Sequence, residues 1–264
     1  MLIVGERINT SRKPIEPAVR ARDAAFIKDE ARRQRAAGAH YIDLNCGTLV
    51  EKEAESLVWL VQTVQEEEEL PVCLDSPNPE AIRQALKVCK GKPLLNSITL
   101  EEKRYSALLP LIKEYGVPVV ALTMDDQGLP ATLDDRLRLA EQLVNGLTGA
   151  GVPLGNIYLD PLVRPVSTDP QAALTLTATI QRFRANWPEA HIICGLSNIS
   201  YGYPLRQYLN QTFLVLALAA GLDAAILDPL DRRLMGLLHA ARVLTGQDQF
   251  GQEYLAAYRA GRIE

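Results

Sequence analysis

Histidine is scarce in this chain, with three in 264 residues. His40 and His191 precede apolar runs and His239 falls inside the last long helical stretch. None stands at the end of a strand, where a general base or a metal ligand would be needed. The four cysteines, Cys46, Cys73, Cys89 and Cys194, are far apart and form no CxxC pair. Three of them lie in or at the end of apolar runs, which fits structural thiols in a reducing compartment better than disulfides or a metal site. No apolar run approaches the roughly 20 residues that cross a bilayer, and the best candidate, residues 213–220, suits a buried helix. The N-terminus lacks the basic start and apolar core of a signal peptide, so the cytoplasm is the expected compartment, with no membrane partner. Positive charge is also short. The net charge of −4 argues against nucleic acid as a partner, because phosphate neutralisation needs a basic surface.

With 47% hydrophobic and 23% charged residues, the chain can bury a full core. Short apolar runs at 2–8, 41–46, 72–75, 94–98, 118–124, 157–160, 192–196 and 224–228 read as strands. Stretches of helical period lie between them, at 23–37, 53–67, 79–88, 101–115, 133–148, 171–186, 206–220 and 231–244. Glycines 38, 91, 116, 149, 221 and 246 stand where left-handed helix caps are expected. Asn78-Pro79-Glu80, and Thr99 ahead of Glu101-Glu102, read as helix starts. Near-continuous apolar strands alternating with helices mean a parallel sheet covered by helices. Eight such units in 264 residues give an α/β fold, a (β/α)8 TIM barrel, with residues 1–264 as one domain. The tail, 248–262, reads as one further outer helix, and the acidic run 66–69 as a solvated helix end. There is no linker, low-complexity segment or repeat beyond the strand–helix rhythm.

In this fold the active site lies at the C-terminal ends of the strands. Those positions form a polar ring: Glu6, Arg7 and Asn9, Asp43 and Asn45, Asp75, Asn96 and Ser97, Thr123 to Asp125, Asp160, Ser197 and Asn198, and Asp228. A core of Val, Ile and Leu has no structural need for acids and amides there. Capping is the competing explanation and fits Asn9, Asp125 and Asp228 best. Asp75, Asn96, Asp160 and Asn198, each interrupting or ending an apolar run on a different strand, are the candidate site. No Gly-x-Gly follows strands seven and eight, where barrels hold phosphate, and no lysine stands at a strand end, which weakens Schiff-base chemistry. Carboxylates and carboxamides suit a flat heterocycle rich in N–H donors. A pterin, a purine and a flavin all meet that description.

The motifs Val4-Gly5-Glu6-Arg7-Ile8-Asn9, Asp75-Ser76-Pro77-Asn78, Asn96-Ser97-Ile98, Tyr158-Leu159-Asp160-Pro161-Leu162 and Gly195-Leu196-Ser197-Asn198 occur in order at barrel-consistent spacing. With these and the segment 219–229, the chain resembles the pterin-binding methyltransferases, end to end with the methyltetrahydrofolate:corrinoid/iron–sulfur protein methyltransferases. The folate module of cobalamin-dependent methionine synthase is a more distant likeness. The resemblance implies a homodimer of barrels that moves the N5 methyl group between 5-methyltetrahydrofolate and the cobalt of a corrinoid (cobalamin) carried by a partner protein, such as a corrinoid/iron–sulfur protein. It implies tetrahydrofolate as substrate and no bound metal of the barrel's own. Asp75, Asn96 and Asp160 match pterin-holding positions, and Asn198 the amide near N5. Gly195, Ser197 and Arg206 match neighbouring folate contacts.

A methyl group on a tertiary amine leaves poorly unless the nitrogen gains a proton or a strong hydrogen bond as the C–N bond breaks. Donors that act on that developing charge favour the transition state over the ground state. The basic residues Arg12, Lys13, Arg164 and Arg206 are candidates for the folate tail or the partner protein, against solvated surface charge. One rival is the tetrahydrofolate-methylating component of an O-demethylase-type system, which runs the transfer the other way. Dihydropteroate synthase is a second, but its strand eight ends in an Arg-x-His-type sequence where this chain has Leu227-Asp228-Pro229. A folate binder without activity is the third.

Overall fold

The computed structural model describes residues 1–66 and 70–263. Strand β1 (Leu2–Asn9) leads into helices α1 (Ile15–Arg20) and α2 (Ala24–Ala36). Then follow β2 (Tyr41–Asn45) and α3 (Glu53–Val64), β3 (Val72–Asp75) and α4 (Pro79–Val88), and β4 (Leu94–Ile98) and α5 (Glu102–Tyr115). The second half runs β5 (Val119–Leu122), α6 (Leu133–Gly149), β6 (Ile157–Asp160), α7 (Ala172–Asn186), β7 (His191–Ile192), α8 (Arg206–Ala220), β8 (Ala224–Leu227), α9 (Arg232–Leu244) and α10 (Gln252–Arg259).

All strand pairs are parallel, in the order β7-β6-β5-β4-β3-β2-β1-β8. The ends of that order meet where Gly195 bridges Ile226 and the Ile226 N–H donates to the Cys194 carbonyl at 2.9 Å. The result is a (β/α)8 TIM barrel. Period-2 alternation along the strands sorts the core into two parts. Ile3, Ile42, Leu74, Leu95, Val119 and Leu159 face the helices. Val4, Cys73, Leu94, Val120, Tyr158 and Ile193 form a separate apolar plug inside the barrel. Two residues further along the same strands come Glu6, Asp75, Asn96, Leu122, Asp160 and Gly195. Glu6, Asp75, Asn96 and Asp160 of the polar ring therefore form part of the layer resting on that plug.

The expected elements are all present, with differences at their ends. The seventh strand keeps ladder pairing over His191–Ile192 rather than 192–196. Beyond it Ile193 still bonds the Leu159 carbonyl at 3.0 Å, but Gly195 then turns the chain into a 3-10 turn, Leu196–Ser200. Helix α1 has no counterpart in the sequence reading, since six residues are too few to show a helical period. The tail helix is split where Phe250 and Gly251 both take positive φ, 59° and 66°. Gly149 is the last residue of α6 rather than its cap, and Gly151 makes the left-handed turn instead, with φ 92°. Residues 67–69 of the acidic run lie outside the described residues.

Candidate active site at the barrel mouth

Register sets the first part of the site. Asn45, Asp75 and Asn96 are direct partners on β2, β3 and β4, and the Asn45 amide donates to Asp75 Oδ2 at 2.7 Å. Burial pushes the Asp75 carboxyl up to about 6, with the Asn45 bond and Arg104 pulling against it. Asp43, one step lower on β2, is fully buried. Burial and the charges of Asp75 and Glu6 raise its pKa well above the carboxylate range, and its Oδ1 has no hydrogen-bond partner among the described residues. On β6, burial raises buried Asp160 to about 7, although its Oδ1 accepts the Leu162 N–H at 2.8 Å. Burial likewise raises Glu6, opposed by the Ser197 hydroxyl that donates to it at 2.7 Å. Glu6, Asp75 and Asp160 thus share one layer, with Asp43 beneath it, and burial suppresses part of the charge of all four; the layer offers acceptors to an incoming N–H donor.

The end of β7 supplies the amide. A Cβ on Gly195 would stand 3.0 Å from Asn198 Nδ2, so the Asn198 side chain folds back over the glycine's empty inward position. The backbone turn that places it is closed by the Asn198 N–H on the Gly195 carbonyl at 3.2 Å. Arg206, at the start of α8, braces that turn by donating to the Ser197 carbonyl at 2.5 Å and to Ser200 Oγ at 2.9 Å. The Asn198 side chain itself is exposed and makes no hydrogen bond among the described residues.

Of the residues expected at the site, Asp75 and Asp160 end β3 and β6, Asn96 lies within β4, Gly195, Ser197 and Asn198 stand in the turn beyond β7, and Arg206 is tied to that turn. Asn9, Asp125 and Asp228 cap no helix, the nearby N-caps being Pro14, Thr132 and Asp231; each instead closes a short turn after its strand. Asn9 accepts from Ser11 N at 2.9 Å, Asp125 from Gln127 N at 3.0 Å and Asp228 from Leu230 N at 3.0 Å. Arg12 and Arg164 face acids, Asp228 at 3.5 Å and Asp169 at 3.6 Å. The histidines lie away from the mouth: His40 Nδ1 accepts the Ile3 N–H at 3.0 Å, and His191 stacks on Tyr158 and meets Asp223.

Arg104 escaped the sequence reading. From α5 it donates to the carbonyls of Ser97 (2.7 Å), Pro77 (2.7 Å) and Ser76 (2.9 Å), tying the loops after β3 and β4 together. Its one signal in the sequence is its place in the first turn of a helix behind Asn96-Ser97. Asp75, Ser97, Arg104, Leu122 and Met124 line a cavity of about 600 Å³, a volume that suits a small-molecule site. No group of three or more His, Cys, Asp or Glu among the described residues is placed to hold a metal ion. No helix among them is long and apolar enough to cross a membrane.

A TIM barrel with acids and amides at its mouth defines the class of this protein. Within that class the chain belongs to the pterin binding enzyme family, whose model matches residues 5–228. It is 38% identical to a methylcorrinoid:tetrahydrofolate methyltransferase of Eubacterium limosum, over 100% of this chain and 98% of that one. It is 31% identical to methionine synthase of Mycobacterium tuberculosis, over 92% of this chain and 21% of that longer protein. Among solved structures it superposes on Yersinia pestis dihydropteroate synthase with a pterine–sulfa conjugate (TM-score 0.71, 18% identity, 93% of this chain and 94% of that chain). The dihydropteroate synthase of Coxiella burnetii in complex with pteroic acid is similar (TM-score 0.72, 15% identity, 94% of each chain). At those identities the likeness is one of fold.

Proposed function

We propose that this protein transfers a methyl group between N5 of tetrahydrofolate and the cobalt of a corrinoid carried by a separate protein. The observation that carries the reading is the unengaged Asn198 amide folded over Gly195, at the same end of the barrel as the acids Asp75 and Asp160 and the amide Asn96. The full-length similarity to the Eubacterium limosum enzyme supports it and favours the direction its name states, from methylcorrinoid to tetrahydrofolate. Asp75 and Asp160 accept N–H bonds from the pterin edge, Asn96 adds an amide, and Gly195, Ser197 and Arg206 keep the β7 turn in place. The N5 lone pair attacks the methyl carbon. The cobalt–carbon bond breaks with both electrons left on cobalt, and N5 then releases its proton to water while the Asn198 side-chain oxygen accepts a hydrogen bond from that N–H. In the opposite direction the same proton must reach N5 before the methyl group departs. Asn198 can serve both directions because an amide donates and accepts without itself titrating. On this reading one barrel carries the whole pterin site, the working unit is a homodimer, and the partner is a corrinoid protein.

The test is an anaerobic incubation of the full chain with methylcobalamin and tetrahydrofolate, followed by the cob(I)alamin absorbance and by formation of 5-methyltetrahydrofolate. Both products are expected in equal amounts. Binding of folate with neither product would leave a binder, and formation of dihydropteroate from a dihydropterin pyrophosphate and p-aminobenzoate would point to the synthase instead.

A further inference from the structure

A cleft larger than the one at the mouth lies elsewhere on the barrel. Helices α2 and α9 stand apart on the flank of the barrel and leave a space of about 920 Å³ between them. It runs from Pro229 and Leu230, just past β8, to Ile3 and His40 at the other end of the barrel. Among the described residues five arginines line it, Arg33, Arg35, Arg232, Arg242 and Arg262, against one acid, Glu253. Arg33 also faces Glu30 at 3.4 Å, but among the described residues positive side chains still outnumber negative ones along this flank, in a chain whose net charge is −4, so the flank concentrates a field opposite to that of the whole molecule. Glu253 is committed to Arg242, one of its oxygens at 3.0 Å. Arg35 gives one nitrogen to the Ala39 carbonyl at 2.9 Å and has no ion pair among the described residues. His239 Nδ1 and Arg242 Nε are buried there without any hydrogen-bond partner among the described residues. Both neighbouring histidines feel the field. Burial lowers the pKa of His40 and of His239, and Arg242 lowers both further, with Arg35 acting on His40 and Arg262 on His239. Between the charges, Ile3, Met235 and Leu238 form an apolar lining.

We propose that this cleft is a second binding site, for a small organic polyanion of the nucleotide class. Its phosphate oxygens would meet the arginine forks, whose geometry matches phosphate bidentately, and its flat apolar body would lie on Ile3, Met235 and Leu238. The volume is that of a small-molecule pocket rather than of an extended docking face. The site stands whether or not the barrel mouth transfers methyl groups.

The test is calorimetric titration of the full chain with ATP as probe, in parallel with inorganic phosphate and a short glutamate peptide at one ionic strength. One ATP per chain is expected, bound at least tenfold more weakly by Arg35→Glu and by Arg262→Glu, and retained when tetrahydrofolate saturates the mouth. Arg262 is exposed, so its reversal decides the matter even if the Arg35 variant fails to fold. Absence of ATP binding, or binding unaltered in Arg262→Glu, would overturn the proposal. So would displacement of ATP by tetrahydrofolate, inorganic phosphate binding as tightly as ATP, or the peptide binding where ATP does not.

Discussion

At Gly195 the empty inward position and the Asn198 amide are one device, because a methyl group there would meet the amide nitrogen at 3.0 Å. Gly195→Ala is therefore expected to push the amide aside and slow methyl transfer on the order of tenfold, while folate affinity stays within about a factor of two. Steady-state kinetics alongside a folate titration separate the two effects. Asp160 carries a second prediction. Its folded pKa, about 7, lies above the ordinary carboxylate value. The ionised side chain therefore costs stability in full above pH 7, and the cost fades as the pH falls towards 4. Asp160→Asn should be more stable than the parent at pH 8, by on the order of 4 kcal/mol at most, with the difference vanishing near pH 4 and pterin affinity lost throughout. Denaturant unfolding at the two pH values checks it. In the parent, the carboxylate forms of Asp160 and Asp75 accept the pterin's N–H groups. The folate dissociation constant should thus rise as the pH drops through 7 and then 6, and a constant that falls instead would contradict the assigned roles.

Between elements, the loops after β3 and β4 depend on a residue of neither, since Arg104 of α5 bonds three of their carbonyls. Arg104→Ala should lower stability by on the order of 2–3 kcal/mol and weaken folate binding. Arg104→Lys should restore little, because a single ammonium cannot span the fork; thermal melts and titrations of both variants measure this. Asp75, Asn96 and Asp160 were legible in the sequence because an acid or amide inside an apolar strand breaks the expected pattern, and the fold says which end of the strand is used. Arg104 was not, because a basic residue on an outer helix looks like solvated charge until the carbonyls it serves are brought to it. The shortness of β7 was hidden for a related reason. Ile193 and Cys194 are as apolar as ladder residues, and the exit at Gly195 comes from the turn that follows.

Across the whole molecule, the rhythm of eight apolar runs and eight helical stretches was enough to define the barrel, because each βα unit buries its strand by the same local rule. What holds the seam between its first and last strands was less visible. Arg7 on β1 reaches Asp228 past β8 at 2.8 Å and also pairs with Glu30 of α2, so one guanidinium joins three elements distant in the chain. The arginine-lined cleft beside that seam was equally hidden, since its charges come from α2, α9 and the tail and meet only in the folded molecule. The claim on which the functional reading turns is that Asn198 acts on N5 during transfer rather than holding the folate. Single-turnover methyl transfer by Asn198→Ala at saturating folate tests it most directly. A rate reduced on the order of a hundredfold, with the folate dissociation constant changed by less than about fivefold, is the expected result. An unchanged rate at saturation, with the whole loss in binding, would contradict it.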